Sequence, residues 1–592
     1  MPPGRRSETP SVRRAPPRLQ LRPETPPAIA AMAKLLTRAG RHVDTGRLVL
    51  GIVLALAGIW LATFGALADV SLHRGVETGV EPPIVLHVSG RGLATNADLT
   101  RFAPDQLPEV AAALQSSGIL YVRQSFAWAE IEPRAGELGW ERYDAIVDSL
   151  SERGINIVAV LHRSPAWARP PERVDFFDAP PSDPEAYARF AGAVAARYGD
   201  RVQYYQLWDK PNRLDQWGGI AASPADYVAT LLSFGFNAVR AAHPTATVIL
   251  AELAPAADGG LAGDDLTWLR GIYDAGGRSF FHAVAADLRG GVKTPYDRGV
   301  APDLINLSRA TLFRELMIEQ NDAERPLWGT HYGWRAAAAP EGVSEADQAA
   351  FAIEGMSRTR SEWPWLGPLF FAGLAPGPSL GGEIAAGETL LRVDGTATRL
   401  LGALRTFSAA GDQDVAPTGF LPVDAAQFAF EGNWSLQHLG AETFRTTSEV
   451  GARLTVEFVG TGAIARVRLS PGAGPVTATL DGEPIAIDLQ SGQASNQDVT
   501  IAEGLREGRH TVVMELAEPG ELTIGGLIIE RSVPLRWTAM LLAGGGILLL
   551  FFGIRQVVFT LAERSGRLQR RRGVDLWPEL PHVGDWRPAR RT

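Results

Sequence analysis

The chain has no cysteine among its 592 residues, which excludes a disulfide framework, a thiol nucleophile and any cysteine-ligated metal site. Lysine is nearly absent: Lys34, Lys210 and Lys293 are the only three. No Gly-x-Gly-x-x-Gly run follows the first apolar strand, and no Gly-Lys-Ser/Thr phosphate loop occurs, so no nucleotide cofactor is expected. Tight His-x-x-x-His spacing is missing too, and no metal is expected. The net charge is −9, and the basic residues concentrate at the two ends. The central part is therefore acidic, which argues against nucleic acid as a partner.

What is present is long apolar sequence near both ends. Residues 1–46 are rich in Pro and Arg and lack apolar periodicity, so they read as a disordered basic tail. The run at 47–69 is almost uncharged and long enough to span a bilayer. It is longer than the apolar stretch of a signal peptide and has no small-x-small exit site, so a retained helix is expected over a cleaved one. A second apolar run lies within 533–556, and a basic tail, 557–592, follows with Arg570, Arg571 and Arg572. The basic flanks sit outside both runs, so the positive-inside rule puts both termini in the cytoplasm and everything between the spans outside the cell membrane.

Between the spans, residues 80–410 alternate short apolar runs with amphipathic segments about eight times. Strands are expected from Ile84, Leu120, Ile155, Val202, Thr247, Phe281, Pro326 and Trp365. Helices intervene, as over Trp140–Arg153, Pro184–Tyr198, Pro224–Ala242, Asp303–Gln320 and Ser344–Arg360. Apolar strands alternating with helices imply a parallel sheet covered on both faces. Eight such units suit a (β/α)8 TIM barrel better than an open sheet. From 411 to 532 the pattern becomes short alternating runs separated by Gly and Asp turns such as Asp481-Gly482, the mark of an antiparallel β-sandwich. Its turn series is similar to jelly-roll modules of the galactose-binding-like class, which implies either sugar binding or a spacer role beside the barrel. The predicted architecture is thus an α/β TIM barrel followed by a β-sandwich, flanked by two transmembrane helices.

In such a barrel, ligands bind at the C-terminal ends of the strands. Those ends carry runs with a shared pattern. The second strand reads Arg123-Gln124-Ser125-Phe126-Ala127-Trp128-Ala129-Glu130-Ile131-Glu132-Pro133. The third ends in His162-Arg163-Ser164-Pro165-Ala166-Trp167, the fourth in Trp208-Asp209-Lys210-Pro211-Asn212, and the seventh in Thr330-His331-Tyr332-Gly333-Trp334. Together these runs resemble the clan A glycoside hydrolases, especially family 39 and the related family 5. The resemblance implies that Lys210 stands where the family carries its acid/base glutamate, and His331 where it carries the nucleophile. Asp209 replaces the Asn that holds the substrate's 2-hydroxyl, while Asp287 and Arg289 replace a His and a Tyr at the sixth strand. It further implies that Arg123 braces the nucleophile, that Glu132 shapes a loop, and that Trp128 and Trp167 lie at the sugar site.

A retaining glycosidase needs one carboxyl to protonate the leaving oxygen and another, about 5 Å away, to attack the anomeric carbon. A lysine ammonium opposes the positive charge of that transition state, and imidazole is a poor replacement nucleophile here. The first expectation is therefore a pseudo-glycosidase that binds poly- or oligosaccharide without conventional hydrolysis, in a cleft lined by Trp128, Trp167, Trp208 and Trp334. His162, Asn212, Arg289 and Tyr332 are further candidate sugar contacts. A second is a divergent hydrolase acting through Asp209, Glu252 or Asp287, and a third is a structural ectodomain of an envelope complex. Lys210 is expected to pair with Asp209, Asp287 or Glu252. His331 reads as a core histidine, or as a metal ligand with His162 and Asp287. Arg123, Lys210, Arg289 and His331 would together make the pocket floor cationic and suited to an acidic sugar.

Overall fold

The computed structural model describes residues 27–77, 93–379, 382–411, 414–439, 442–532 and 537–572. Eight parallel strands form the first sheet: β1 (Leu93–Ala97), β2 (Ile119–Ala127), β3 (Asn156–His162), β4 (Tyr204–Leu207), β5 (Thr247–Ile249), β6 (Val284–Arg289), β7 (Leu327–Gly333) and β8 (Leu366–Phe371). They are hydrogen-bonded in the order β5-β4-β3-β2-β1-β8-β7-β6. The ring closes between β5 and β6 through the parallel bridge Ile249–Ala283, where the Leu250 amide donates to the Ala283 carbonyl at 2.9 Å. Closure is this narrow because β5 has three residues. The expected start at Ile84 lies outside the described residues, and the other seven strands begin within a few residues of their expected positions.

The strands are buried on both faces, which is why they read as continuous apolar runs rather than alternating ones. Inside the barrel, Tyr121, Tyr204, Trp328 and Phe370 pack together with Ala94, Val158 and Ile249. Their rings meet mostly edge-on or tilted, with centroids such as Tyr204–Trp328 at 5.3 Å. The interior is a filled aromatic core and leaves no pore. Outside, amphipathic helices turn their apolar faces onto the sheet. The helix Pro184–Tyr198 starts where its residues dictate: the Asp183 side chain accepts from the Glu185 amide, with Pro184 at the first helical position. The segment expected as one helix over Pro224–Ala242 carries a π-helical turn at Val228–Leu232, seated where the Tyr227 hydroxyl reaches the Leu207 carbonyl behind β4.

After the barrel come two antiparallel sheets. One contains strands Phe428–Glu431, Arg453–Gly460, Gly508–Leu516, Val476–Leu480 and Glu483–Ile487. The other is built on Gly462–Leu469 and Leu522–Glu530, flanked by Ser495–Ala502 on one side and Glu442–Thr447 on the other. Alternate residues, among them Leu454, Val456, Phe458, Val467, Met514 and Ile524, point inward and share one core. The alternation read from sequence is this inward and outward period of two.

The terminal helices form a compact unit of their own, distinct from Ser71–Pro534. Asp44–Ser71 and Trp537–Gly566 are each long and apolar enough to cross a membrane. Their large apolar side chains, such as Leu56, Trp60, Leu541 and Phe551, lie exposed, unlike those of a core helix. Gly51, Gly58 and Gly65 recur every seven residues along the first helix and meet the second in antiparallel order. A Cβ on Gly58 would sit 2.4 Å from the Leu550 amide nitrogen, and one on Gly546 would sit 2.4 Å from that of Ala62. Small residues let the two backbones touch. Helical backbone begins at Pro27, so residues 27–46 of the segment expected to lack structure are helical. Residues 1–26 lie outside the described residues. The second helix likewise runs on to Arg572, into the expected tail.

Candidate functional site

The residues singled out at the strand ends converge at one end of the barrel. β2 supplies Arg123, which is fully engaged. Its Nη2 donates to Asp209 Oδ1 at 2.5 Å, its Nε to Gln206 Oε1 at 2.8 Å and its Nη1 to Asn96 Oδ1 at 2.9 Å. The chain leaving β4 turns sharply: Trp208 has φ +71° and Lys210 φ +44°. Non-glycine residues in the left-handed region are strained and are held there only by their surroundings. The holding bonds are Trp208 N–H to the Leu161 carbonyl at 3.0 Å and Lys210 N–H to the Glu252 carbonyl at 2.8 Å. This turn buries the Asp209 carboxyl against Arg123 and brings Lys210 Nζ to 3.2 Å from Glu252 Oε1.

A register shift between Ala286 and Asp287 places Asp287 opposite His331 across β6 and β7. Asp287 Oδ2 then lies 3.1 Å from Arg289 Nη2 and 3.7 Å from His331 Nδ1. Arg289 also pairs with Asp258. Ligand atoms of Glu252, Asp287 and His331 all lie within 4.8 Å of one another, which makes these three, rather than His162, the residues that could share a metal ion. Lys210 and Arg289 already occupy the two carboxylates as cations, so the cluster is a closed ion network.

The network sets the proton affinities. Burial pushes the Asp209 carboxyl above its ordinary range, more strongly than Arg123 pulls it down. Burial acts upward on Glu252 as well, but Lys210, Arg123 and His331 outweigh it and hold the group at about 2. Burial alone would lower the Lys210 ammonium; the surrounding carboxylates, Glu252 first, keep it above its usual value and therefore charged. His162 is buried, faces Arg163 and Arg123, and is held well below the usual histidine value. Neutral, it bonds Ser125 Oγ through Nε2 at 2.6 Å.

Several sequence expectations change here. Trp128 and Trp208 are 0% and 1% exposed and line no cleft. Trp128 stacks on Phe190 and donates its indole N–H to Glu132 at 2.7 Å, while Trp208 donates to the Gln216 carbonyl at 3.0 Å. Their rings fill the space between strand and helix, which a pattern of tryptophans cannot distinguish from a sugar platform. Asn212 spends its amide on backbone: Nδ2 donates to the Ala254 and Gly263 carbonyls and Oδ1 accepts from the Ala254 amide. Tyr332 donates its hydroxyl to the Ala352 carbonyl. Arg123 and His162 are likewise buried braces. Trp167 stays exposed, with its indole N–H anchored on the Glu132 carbonyl at 3.0 Å.

Beside the network lies an open cavity of about 260 Å³, which Arg289, His331, Trp334 and Phe371 line together with Glu341 and Glu388. Trp334 is nearly buried and fixed by its indole N–H on the Lys293 carbonyl at 2.6 Å. The sequence reading missed Asp258, Glu341 and Glu388. They come from loops, and only the folded barrel brings residues so distant in the chain to one opening. The expected cationic floor is also absent: Arg123, Lys210 and Arg289 are each matched by a carboxylate.

A family model described as beta-galactosidase, of glycoside hydrolase family 42, matches residues 101–172, the stretch that spans β2 and β3. Similar solved structures include a family 39 glycoside hydrolase from the gut symbiont Bacteroides cellulosilyticus WH2. It is 17% identical, with a TM-score of 0.44, and the match covers 72% of this chain and 81% of that one. A glucosidase from Croceicoccus marinus is 12% identical, with a TM-score of 0.42, covering 74% of this chain and 98% of that one. Endo-glycoceramidase II from Rhodococcus sp. is 16% identical, with a TM-score of 0.36, covering 72% and 97%. The barrel is glycoside-hydrolase-like. Comparison with curated proteins gives no match.

Proposed function

We propose that this is a membrane-anchored ectodomain whose barrel binds poly- or oligosaccharide without cutting it. The observation that carries the reading is the fate of the carboxylates at the barrel centre. Asp209 is held by Arg123, Glu252 by Lys210 and Asp287 by Arg289, and each is at most 2% exposed. A general acid must reach the leaving oxygen and a nucleophile must reach the anomeric carbon. Buried, cation-paired carboxylates do neither, and the Lys210 charge opposes an oxocarbenium-like transition state. The neighbouring cavity remains open, which favours binding over a purely structural role for the ectodomain.

The two apolar helices, packed as an antiparallel pair, support an anchor with both termini on one side. The basic flanks support the cytoplasm as that side. The reading is tested by incubating the full-length protein in detergent micelles with aryl glycosides and with neutral, amino and acidic polysaccharides, alongside Asp209→Ala. No product release above the variant's background is expected. Turnover that vanishes in Asp209→Ala would make this a divergent hydrolase instead, the reading favoured by the raised proton affinity of Asp209.

A further inference from the structure

An arginine occupies an inward-facing position at one edge of the β-sandwich. Residues directly opposite each other in an antiparallel pair share a face. On the strand Glu442–Thr447, Arg445 lies opposite the core residue Ile524, so its side chain turns inward. On its other side it lies opposite Leu436 of the edge strand Ser435–Leu439. From the edge of the facing sheet, Phe428 and Phe430 lie opposite Val456 and Leu454 and turn inward too. The Arg445 guanidinium rests 4.6 Å from the centroid of the Phe430 ring. Leu436 is 49% exposed, and Phe430 and Trp434 are half-buried, so this edge is open.

The link Gly432-Asn433-Trp434 joins the two edge strands and fixes the aromatic rings. Gly432 has φ +88°, and a Cβ on it would sit 2.8 Å from that of Ala452. The Asn433 amide donates to Glu449 Oε2 at 2.7 Å, and the Trp434 indole N–H donates to the Glu431 carbonyl at 3.0 Å. Trp434 is thereby held 5.1 Å from Phe430, which stacks on Phe428 at 5.6 Å. Arg445 has aromatic company but no acid. Among the described residues its side chain forms no ion pair and no hydrogen bond, and its Nε is buried without an acceptor. Its terminal nitrogens are not buried. The nearby Glu431 is taken by Arg453 at 3.2 Å. Arg123, Lys210 and Arg289 of the barrel are each matched by a carboxylate, whereas this cation is not. A half-desolvated, unmatched cation gains more from an arriving anion than a fully hydrated one does. For packing alone, an apolar residue would serve this position better.

We infer that this edge of the sandwich binds an acidic sugar unit, a uronate whose carboxylate pairs with the terminal nitrogens of Arg445. The planar guanidinium matches a carboxylate in shape and charge, and the apolar face of the sugar ring packs against Trp434 and Leu436. The site lies in the sandwich rather than at the barrel mouth, so the inference goes beyond the reading above and does not rest on it.

The test compares the full-length protein and Arg445→Met in detergent micelles, using a polyuronate oligomer and a neutral oligosaccharide of equal length. The wild type should bind the polyuronate, more weakly as salt is raised. Arg445→Met should lower that affinity by about tenfold, the scale of hydrogen bonds to a charged group. Any retention of the neutral oligosaccharide, which belongs to the barrel, should be the same in both proteins. Thermal melts supply a readout that a purely structural arginine would move the other way. The variant should melt at or above the wild type, because the change removes a buried donor that has no acceptor. A lower melting temperature in Arg445→Met would make the residue a brace of the sandwich edge and overturn the inference. Polyuronate binding that is absent, or unchanged in the variant, would overturn it as well. So would displacement of the polyuronate by an equal concentration of inorganic phosphate, since the edge would then hold any anion and not a sugar.

Discussion

Replacing Lys210 by methionine isolates the interaction that defines the barrel centre. The side chain keeps its length and apolar stem but loses the cation 3.2 Å from Glu252 Oε1. Glu252 is 1% exposed, so its carboxylate has little water to turn to. The present network lowers that carboxyl from 4.5 to about 2, and at 1.36 kcal/mol per unit this corresponds to roughly 3 kcal/mol of stabilisation at neutral pH. That agrees with the 3 to 5 kcal/mol that removing one partner of a buried pair costs in general. In the wild type the folded value is depressed, so the contribution is present above the unfolded carboxylate range and is lost as pH falls toward 2. In Lys210→Met, burial pushes the carboxyl upward, so the penalty is present at neutral pH and is relieved as the group takes up a proton. Thermal melts should therefore place the variant well below the wild type at pH 7, with a smaller gap near pH 4. Lys210→Met/Glu252→Gln should recover most of the loss, since the double change removes both charges. A variant that melts with the wild type at pH 7, or a double variant no better than the single, would refute the argument.

Other consequences follow from the same geometry. Asn212→Ala removes three hydrogen bonds that tie the loops after β4 and β5 together. At about 1 kcal/mol each, melting should show a loss of roughly 2 to 4 kcal/mol. Because the chain has no cysteine, Leu61→Cys/Gly545→Cys introduces its only two thiols, at positions where a Gly545 Cβ would lie 4.0 Å from the Leu61 side chain. Oxidation in membranes should produce an internal disulfide visible as a mobility shift, and adding Gly58→Leu should abolish it by forcing the helices apart. Arg123→Met should destabilise the barrel by about 3 to 5 kcal/mol through the buried Asp209 it abandons, and Arg123→Met/Asp209→Asn should restore most of that in denaturant unfolding.

The barrel was legible in the sequence because parallel strands buried on both faces leave continuous apolar runs, as at Ile157–Leu161, and the intervening helices keep a period near 3.6. The pairing of Lys210 with a carboxylate was legible too, since a lone lysine among strand-end acids has few other uses. The roles of the tryptophans were not. Trp128 and Trp167 belong to neighbouring strand ends, and their rings touch at 5.5 Å, yet one is core and the other exposed. Sequence gives the residue type and the strand end, whereas burial depends on which helix packs behind it, here Phe190 behind Trp128. The charge of the mouth was misjudged for a related reason. The cations Arg123, Lys210 and Arg289 come from strand-end motifs and can be counted in advance. Asp258, Glu341 and Glu388 come from loops whose convergence is a property of the closed barrel.

The most direct test of binding without cleavage is equilibrium dialysis of the full-length protein against defined oligosaccharides, followed by mass analysis of the ligand recovered from the protein side. A retained oligosaccharide should be recovered at its original length after prolonged incubation. Recovery of shortened products that depend on Asp209 or Glu252 would contradict it.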